Sequence, residues 1–470
     1  MTVTLLHYHL RPGGVTQVML NQARALLESG AEVFVLSGEA PACADRWRGI
    51  GTGVIPALRY DRYRGGGGKA PALAAEIARA IRGRFGARAG GPSLLHVHNP
   101  LIKKNSLLIG ALKLLSADFP LLLHNHDLAE DFRPDVYLNE EYPADCHYAV
   151  INSRDYRFML ESGLRAEGLH LLPNEVQTLS AAPGLARNRY LYPVRGIRRK
   201  NLGEALLLSG FIPEGRTVAV TQPPTTGHDA AVYGRWKKLA AELDLPVEFE
   251  IGERLSFSEA LGSAFAVITT SIKEGFGFSF LESWTAGIAS TGRRIDYVCR
   301  DFEENGVRFD SLYGGLEIPA AWAPPDLFVR RLGETLNAVY AAFGNSLPRE
   351  KIAAVEKLPD GAGGLDFGVL DEEMQEAVLR SVRADPRARR DIAAANPFLA
   401  GLADWIPDPL TIEANRQAVR SAYSREKIGG RLRAIYAAVL AGPVTQSISR
   451  ALLLERYLDP LRVFLTGIAQ

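Results

Sequence analysis

The sequence predicts an α/β protein built from two doubly wound, Rossmann-like domains facing a cleft, with a helical C-terminal extension. Three observations predict it. Short apolar runs alternate with helical stretches through the first part of the chain, as βαβ units around a buried parallel sheet require. The same alternation restarts near Tyr190, and strand-like runs end near Asp326. A length of 470 residues accommodates two to three domains.

In the first domain, Val3–Leu6, Glu32–Leu36, Leu94–Val97, Leu121–Leu123 and Tyr148–Ile151 are the candidate strands. Val15–Ser29 places Val15, Val18, Met19, Ala23, Leu26 and Leu27 at helical spacing, and Gly30 stops it. Ala72–Arg82 and Leu107–Leu115 are further helices. In the second domain the strands are Tyr190–Val194, Thr217–Thr221, Pro246–Ile251 and Ala264–Thr269. Its helices are Asn201–Leu208, Ala231–Leu243 and Phe280–Ala286. The join lies near Ala181–Asn188, so the domains are drawn as 1–182, 183–326 and 327–470. Within the last, breaks fall at Asp360–Gly364 and Pro407–Pro409, and Arg416–Leu440 and Ser447–Leu465 are amphipathic.

Lys+Arg number 54 against 53 Asp+Glu, so no global charge favours nucleic acid or another polyanion. The three cysteines, Cys43, Cys146 and Cys299, have neither metal-site spacing nor a disulfide framework, which fits a reducing cytoplasm. The start MTVTLLHYHL reads as a strand and not as a signal peptide. No run of about 18 apolar residues is present, so membrane contact is expected to be peripheral at most, at the inner surface. Gly65–Gly68 with Lys69 lacks a preceding strand and a following Ser/Thr, and is not a Walker loop. The arginines 380, 383, 387, 389 and 390 read as a solvated helical face, with an anionic-lipid or polyanionic-acceptor patch as the alternative.

Ligands of open α/β sheets bind beyond the carboxyl ends of the strands. Three strand candidates end in His-x-His, at His7/His9, His96/His98 and His124/His126, and residues two apart share a strand face. Hydrogen bonding to a polyhydroxylated ligand is the preferred reading, with some histidines satisfied within the fold. A metal would need convergent ligands, usually with carboxylate support, and none is expected. Gly13-Gly14 between the first strand and helix would let backbone approach an anion, although such glycines also serve packing. The G-x-G-x-x-G dinucleotide pattern is absent there.

Arg195 and Lys200, five apart after a strand, can flank one diphosphate, or they belong to a basic surface loop with Arg198 and Arg199. In ITTSIKEGFGFSFLESWTAG an apolar strand enters a glycine-punctuated turn. Gly275 and Gly277 can present backbone N–H groups to a phosphate or a sugar hydroxyl. Glu274 and Glu282 are suited to accept paired hydrogen bonds from vicinal hydroxyls. The plainer alternative leaves Glu274 as a helix cap and Glu282 as an exposed helical acid.

With these residues in place, the sequence resembles the retaining family 4 glycosyltransferases of the GT-B fold. The resemblance covers about residues 2–300, in order. Glu274 and Glu282 match the E-x7-E motif, and Arg195 and Lys200 the phosphate pair. His9–Val15 resembles the first glycine-rich loop. HNHDL (124–128) resembles the segment carrying the sugar-contacting histidine, which puts His126 in that role. VINS (150–153) and LPNEV (172–176) resemble the segments closing the first domain. Departures are Glu175 in place of glycine, the TQPPTTGHD stretch (221–229), IASTGRRIDYVCRDF after Gly287, and the long tail.

The resemblance implies an EC 2.4 hexosyltransferase. It would move a hexose from a nucleoside-diphosphate sugar, UDP-glucose or GDP-mannose, to an acceptor hydroxyl with retention and without a metal. The donor is a co-substrate, and no cofactor is expected. The acceptor is a small molecule, a lipid or a glycan, and nucleic acid is not a partner. His126, Glu274, Lys200 and Arg195 are the expected catalytic residues. Gly14, Arg195, Lys200, Gly275, Phe276, Gly277, Phe278 and Glu282 are the expected donor-binding residues. The last helices are expected to return to the first domain. The rivals are a GT-B-like sugar-nucleotide epimerase, a phosphorylase and a non-catalytic sugar-nucleotide-binding scaffold.

Overall fold

The computed structural model describes residues 1–64, 68–86, 93–356, 364–459 and 463–468. The chain forms two compact units, Met1–Glu175 with Ala422–Leu458, and Val176–Ser421 with Asp459–Gln470.

The first unit holds β1 (Thr2–His7), β2 (Glu32–Ser37), β3 (Gly51–Val54), β4 (Leu94–His98), β5 (Leu121–Asn125), β6 (His147–Val150) and β7 (Leu169–Leu171). All pair in parallel, in the order β3-β2-β1-β4-β5-β6-β7. Central strands β4 and β5 are fully buried along their length, which is why they read as continuous apolar runs and not as alternating ones. β3 and β7 lie at the edges. β3 is the tetrapeptide GTGV with alternating exposure, too poor in apolar side chains to be expected from the sequence.

The second unit repeats the plan with β8 (Arg189–Arg195), β9 (Thr217–Gln222), β10 (Val247–Glu248), β11 (Ala264–Thr269), β12 (Ser290–Arg293) and β13 (Leu312–Tyr313). Their order is β10-β9-β8-β11-β12-β13, again all parallel. In each sheet the order reverses beside the first strand, between β1 and β4 and between β8 and β11. Ligand sites of doubly wound sheets open at such switch points.

Several expected elements change. Pro246–Ile251 shrinks to β10, because Glu250 turns left-handed (φ 59°) and leads into a 3-10 turn at Ile251–Glu253. Phe280–Ala286 becomes a 3-10 turn, Phe278–Phe280, and a four-residue helix, Glu282–Thr285. Arg416–Leu440 is not one helix. Ser424 is extended and its hydroxyl accepts the Lys427 N–H, so Pro409–Tyr423 ends and Arg425–Ala441 begins there. Ser449 likewise caps Arg450–Tyr457, shortening Ser447–Leu465. A strand does follow Asp326: Leu365–Asp366 pairs antiparallel with Glu317–Ile318. The glycines 65–67 and the break at 360–363 lie outside the described residues.

The arginine run is split as well. Asp385 ends the helix Glu372–Ala384 and caps Pro386–Ala395 by accepting the Arg387 N–H. Arg380 pairs with Glu242 and Glu376, and Arg389 stacks over Phe211 with its guanidinium carbon 4.3 Å from the ring centre. All five arginines are exposed, as the solvated reading expects, but they lie on two helices and so do not form one helical face.

Candidate functional site

In the second unit the switch point brings two loops together. The loop after β8 carries Arg195 to Lys200, and the loop after β11 carries Thr270 to Gly277. They are stitched by backbone and hydroxyl contacts. Thr270 Oγ1 donates to the carbonyls of Lys200 and Asn201, both at 3.0 Å. The Tyr192 hydroxyl donates to the Lys200 carbonyl at 2.7 Å, and the Ile272 N–H donates to the Arg199 carbonyl at 3.1 Å.

Lys200 and Glu274, two of the expected site residues, form a direct ion pair with about a tenth of each side chain exposed. Arg199 Nη1 adds a contact to Glu274 Oε2 at 3.2 Å. Burial pushes the Glu274 carboxyl up, but the charges of Lys200 and Arg199 outweigh it and hold its pKa down at about 2. Burial also lowers the Lys200 pKa, against the opposing pull of Glu274. Tyr297 fixes the Glu274 backbone. Its hydroxyl donates to the Glu274 carbonyl at 2.5 Å and accepts the Glu274 N–H at 3.2 Å. Arg199 was named in the sequence only as part of a basic surface loop. Tyr297 was not foreseen, because it reaches Glu274 from the start of the helix Asp296–Glu303.

Arg195 stands at the end of β8 with its side chain exposed, and it has no ion pair among the described residues. Arg198 does not join the cationic loop. It pairs with Glu372, at 2.5 and 3.0 Å, and donates to the carbonyl of Ile468.

The turn Glu274–Phe278 is held rigidly. Gly277 adopts φ +88°, and a Cβ there would lie 2.6 Å from Val298 Cγ1. Glycine is therefore required by both conformation and space. Phe276 is buried, its ring 5.0 Å from that of Phe278 and 5.4 Å from that of Phe302, so only its backbone can face a ligand. The amides of Gly277 and Phe278 open the 3-10 turn, where no earlier carbonyl of the turn can accept them. Gly275 is half-buried beside them.

Glu282 behaves differently from Glu274. Among the described residues its carboxylate has no hydrogen-bonding or ionic partner, although it is only partly exposed. Burial alone raises its pKa to about 7. A half-buried carboxyl without a protein donor beside it can accept hydrogen bonds from ligand groups such as hydroxyls.

In the first unit, Gly14 opens the helix Gly14–Glu28, and a Cβ there would meet nothing within 4 Å. No packing demand explains that glycine. The six histidines of the strand ends do gather, but mostly inside the unit. His96, His98 and His124 are wholly inaccessible, and His7 and His126 nearly so. For His96, His98 and His124 the expected hydrogen bonding to a polyhydroxylated ligand is therefore corrected. β4 and β5 are central strands, and the helix Arg425–Ala441 lies over β4, with Tyr436 bonded to His96 at 2.8 Å. His126 Nε2 shares a 2.9 Å hydrogen bond with His98 Nδ1, and burial lowers its pKa to about 4. Glu175, the departure in LPNEV, pairs with Arg425 at 3.3 Å. The departure after Gly287 is likewise structural. Arg293, fully buried, pairs with Glu204 and Asp366, both at 2.6 Å.

Two parallel sheets of this order, flanked by helices, define the GT-B fold, the architecture of a large class of glycosyltransferases. Comparison with known proteins agrees. The Anabaena protein HepE, solved with UDP and glucose, superposes with a TM-score of 0.54 at 13% identity, over 93% of this chain and 100% of that one. Sucrose-phosphate synthase from Thermosynechococcus elongatus gives 0.54 at 13% identity, over 94% and 99%. Residues 13–175 match the model of the glycosyl transferase 4-like domain. A mannosylglucosyl-3-phosphoglycerate synthase of Petrotoga mobilis is 24% identical over 350 residues, 64% of this chain and 66% of the relative. The chain has the GT-B fold, and its residues 13–175 carry the likeness to a glycosyl transferase 4-like domain. Among the described residues no helix is long and apolar enough to cross a membrane.

Proposed function

We propose that the protein transfers a hexose from a nucleoside-diphosphate sugar to an acceptor hydroxyl, with retention and without a catalytic metal. The observation that carries this reading is the contrast within the E-x7-E segment. Glu274 is paired to Lys200 and Arg199, whereas Glu282 is a desolvated carboxylate with no partner among the described residues.

In this reading the Glu282 carboxylate accepts hydrogen bonds from the ribose hydroxyls, which supply the donors it lacks. Arg195 and Lys200 take the diphosphate. As the bond from the anomeric carbon to the phosphate oxygen breaks, negative charge grows on the leaving group. Cations fixed beside that oxygen stabilise the transition state more than the bound donor. Glu274, released in part from Lys200 by the phosphate, and the amides of Gly275, Phe276, Gly277 and Phe278 orient the hexose. His126 and Gly14 are assigned to sugar and phosphate by family resemblance. UDP-glucose and GDP-mannose are the donors to try first, because HepE was solved with UDP-glucose and the Petrotoga relative is named for a mannosylglucosyl product. A phosphorylated hydroxy acid glycoside follows as an acceptor from the same name.

The test is incubation with a panel of sugar nucleotides, with and without acceptors, followed by analysis of nucleotide and sugar. Slow release of nucleoside diphosphate, accelerated by an acceptor, is the expected result. Isomerised donor would instead assign an epimerase, and sugar phosphate formed with inorganic phosphate a phosphorylase. Binding without turnover across the panel would leave a sugar-nucleotide scaffold.

A further inference from the structure

The first unit contains a cluster that donor chemistry does not use. His96 and His98 from β4 and His124 from β5 sit on one face of the sheet, since His98 and His124 are register partners. Their rings lie close, with centres 4.3 Å apart for the stacked His96 and His98, and 5.2 Å for the stacked His96/His124 and tilted His98/His124 pairs. One ring nitrogen from each lies within 4.8 Å of the other two.

The hydrogen bonding of the cluster is incomplete in a directed way. His96 Nδ1 bonds the Tyr436 hydroxyl at 2.8 Å, and His98 Nδ1 bonds His126 Nε2 at 2.9 Å. Among the described residues their Nε2 atoms are buried with no hydrogen-bond partner, and the buried ring nitrogens of His124 have at most a backbone contact at Leu172. Buried polar nitrogens of this kind cost free energy unless something meets them. Two rings held at Nδ1 and open at Nε2 follow the arrangement of metal-binding histidines, whose outer nitrogen is oriented by a second group.

We propose that His96, His98 and His124 form a binding site for one divalent transition-metal ion of the zinc type, held by imidazole nitrogens inside the first unit. Three imidazoles without carboxylate oxygens suit zinc, cobalt or nickel and disfavour magnesium and calcium. Tetrahedral zinc with bonds of about 2.0–2.1 Å holds its nitrogens about 3.3 Å apart, so closing the site takes ring shifts of about 1 Å together with rotation of the stacked rings until their in-plane lone pairs converge. A water or hydroxide completes the coordination. Tyr436 and His126 act as positioning residues through His96 and His98. The ion is structural. It crosslinks β4 to β5 and, through Tyr436, engages the helix Arg425–Ala441. The rival occupant is an ordered water bridging the open nitrogens.

The experiment measures metal content of the full chain, as purified and after chelation followed by Zn2+ or Co2+ alone. The expected result is about one equivalent per chain, with cobalt showing the intense visible bands of a tetrahedral nitrogen site and the metal raising Tm. His124→Ala is expected to lose the ion, while His170→Ala, in the separate His147/His170 pair, keeps it. Absence of stoichiometric metal in the wild type, with no cobalt bands on reconstitution, would overturn the proposal and leave water as the occupant. Metal retained by His124→Ala, or lost in His170→Ala, would overturn it as well. The wild-type cobalt spectrum decides the question if His124→Ala does not fold.

Discussion

The two sheets share one topology and differ in what stands at their switch points. Beyond β8 and β11 the chain carries the charged Arg195, Lys200 and Glu274, and Glu282, whose carboxyl pKa burial raises to about 7. Around β1, β4 and β5 the strand ends carry imidazoles that burial keeps neutral. The same backbone plan therefore presents ionisable side chains at the strand ends of one unit and buried imidazoles at those of the other. Fold alone does not assign chemistry; the side chains at the strand ends do.

Substitutions can break this contrast. The largest effect is expected at Lys200. Lys200→Ala removes a cation from the leaving group and should lower kcat by about 10²–10³-fold. Arg199 remains beside Glu274 as a counter-charge, and circular dichroism should show a retained fold. Next comes Glu282→Gln, which should weaken donor binding by about 10- to 100-fold, the loss expected for hydrogen bonds to a charged group. It carries a pH signature. Because burial raises the Glu282 pKa to about 7, the carboxylate forms only as pH rises through that value. Donor affinity should therefore tighten from pH 6 to pH 8 in the wild type, by up to about tenfold per unit below the pKa. The slope should flatten in Glu282→Gln. The stability sign is opposite. A raised carboxyl pKa makes the folded state bind the proton longer than the unfolded state, so stability falls as pH rises from the ordinary carboxylate range through about 7. Urea midpoints across that window check it.

Smaller effects sharpen the comparison. Gly277→Ala should lower stability by about 2 kcal/mol, through a positive φ and the contact with Val298, read as a shift in urea midpoint. Tyr436→Phe should cost about 1 kcal/mol by leaving His96 Nδ1 unpartnered, with donor affinity unchanged. A change in donor binding there would show that the two sets of strand ends are energetically coupled.

Central strands and the EGFGFSFLE turn were legible because burial on both faces and a required glycine leave local marks in the sequence. β11 ran over the expected residues, and Gly277 proved indispensable in its turn. What local pattern could not carry came from residues distant in sequence. Tyr297 meets Glu274 only after the chain has passed through β12, and Arg293 meets Glu204 and Asp366 from three separate segments. β12 was missed because its run, Ser-Thr-Gly-Arg, is polar, and the Arg293 charge is neutralised by partners that the sequence does not place beside it. The break at Ser424 was missed because the apolar period continues across it while the serine caps the second helix.

Titration of UDP-glucose and GDP-mannose into the wild type and Glu282→Gln, followed by calorimetry at pH 8, tests the central claim most directly. The account predicts that at least one donor binds the wild type and binds Glu282→Gln at least tenfold more weakly. Equal affinity in both proteins, for a donor that the wild type turns over, would contradict the assignment of the ribose to Glu282.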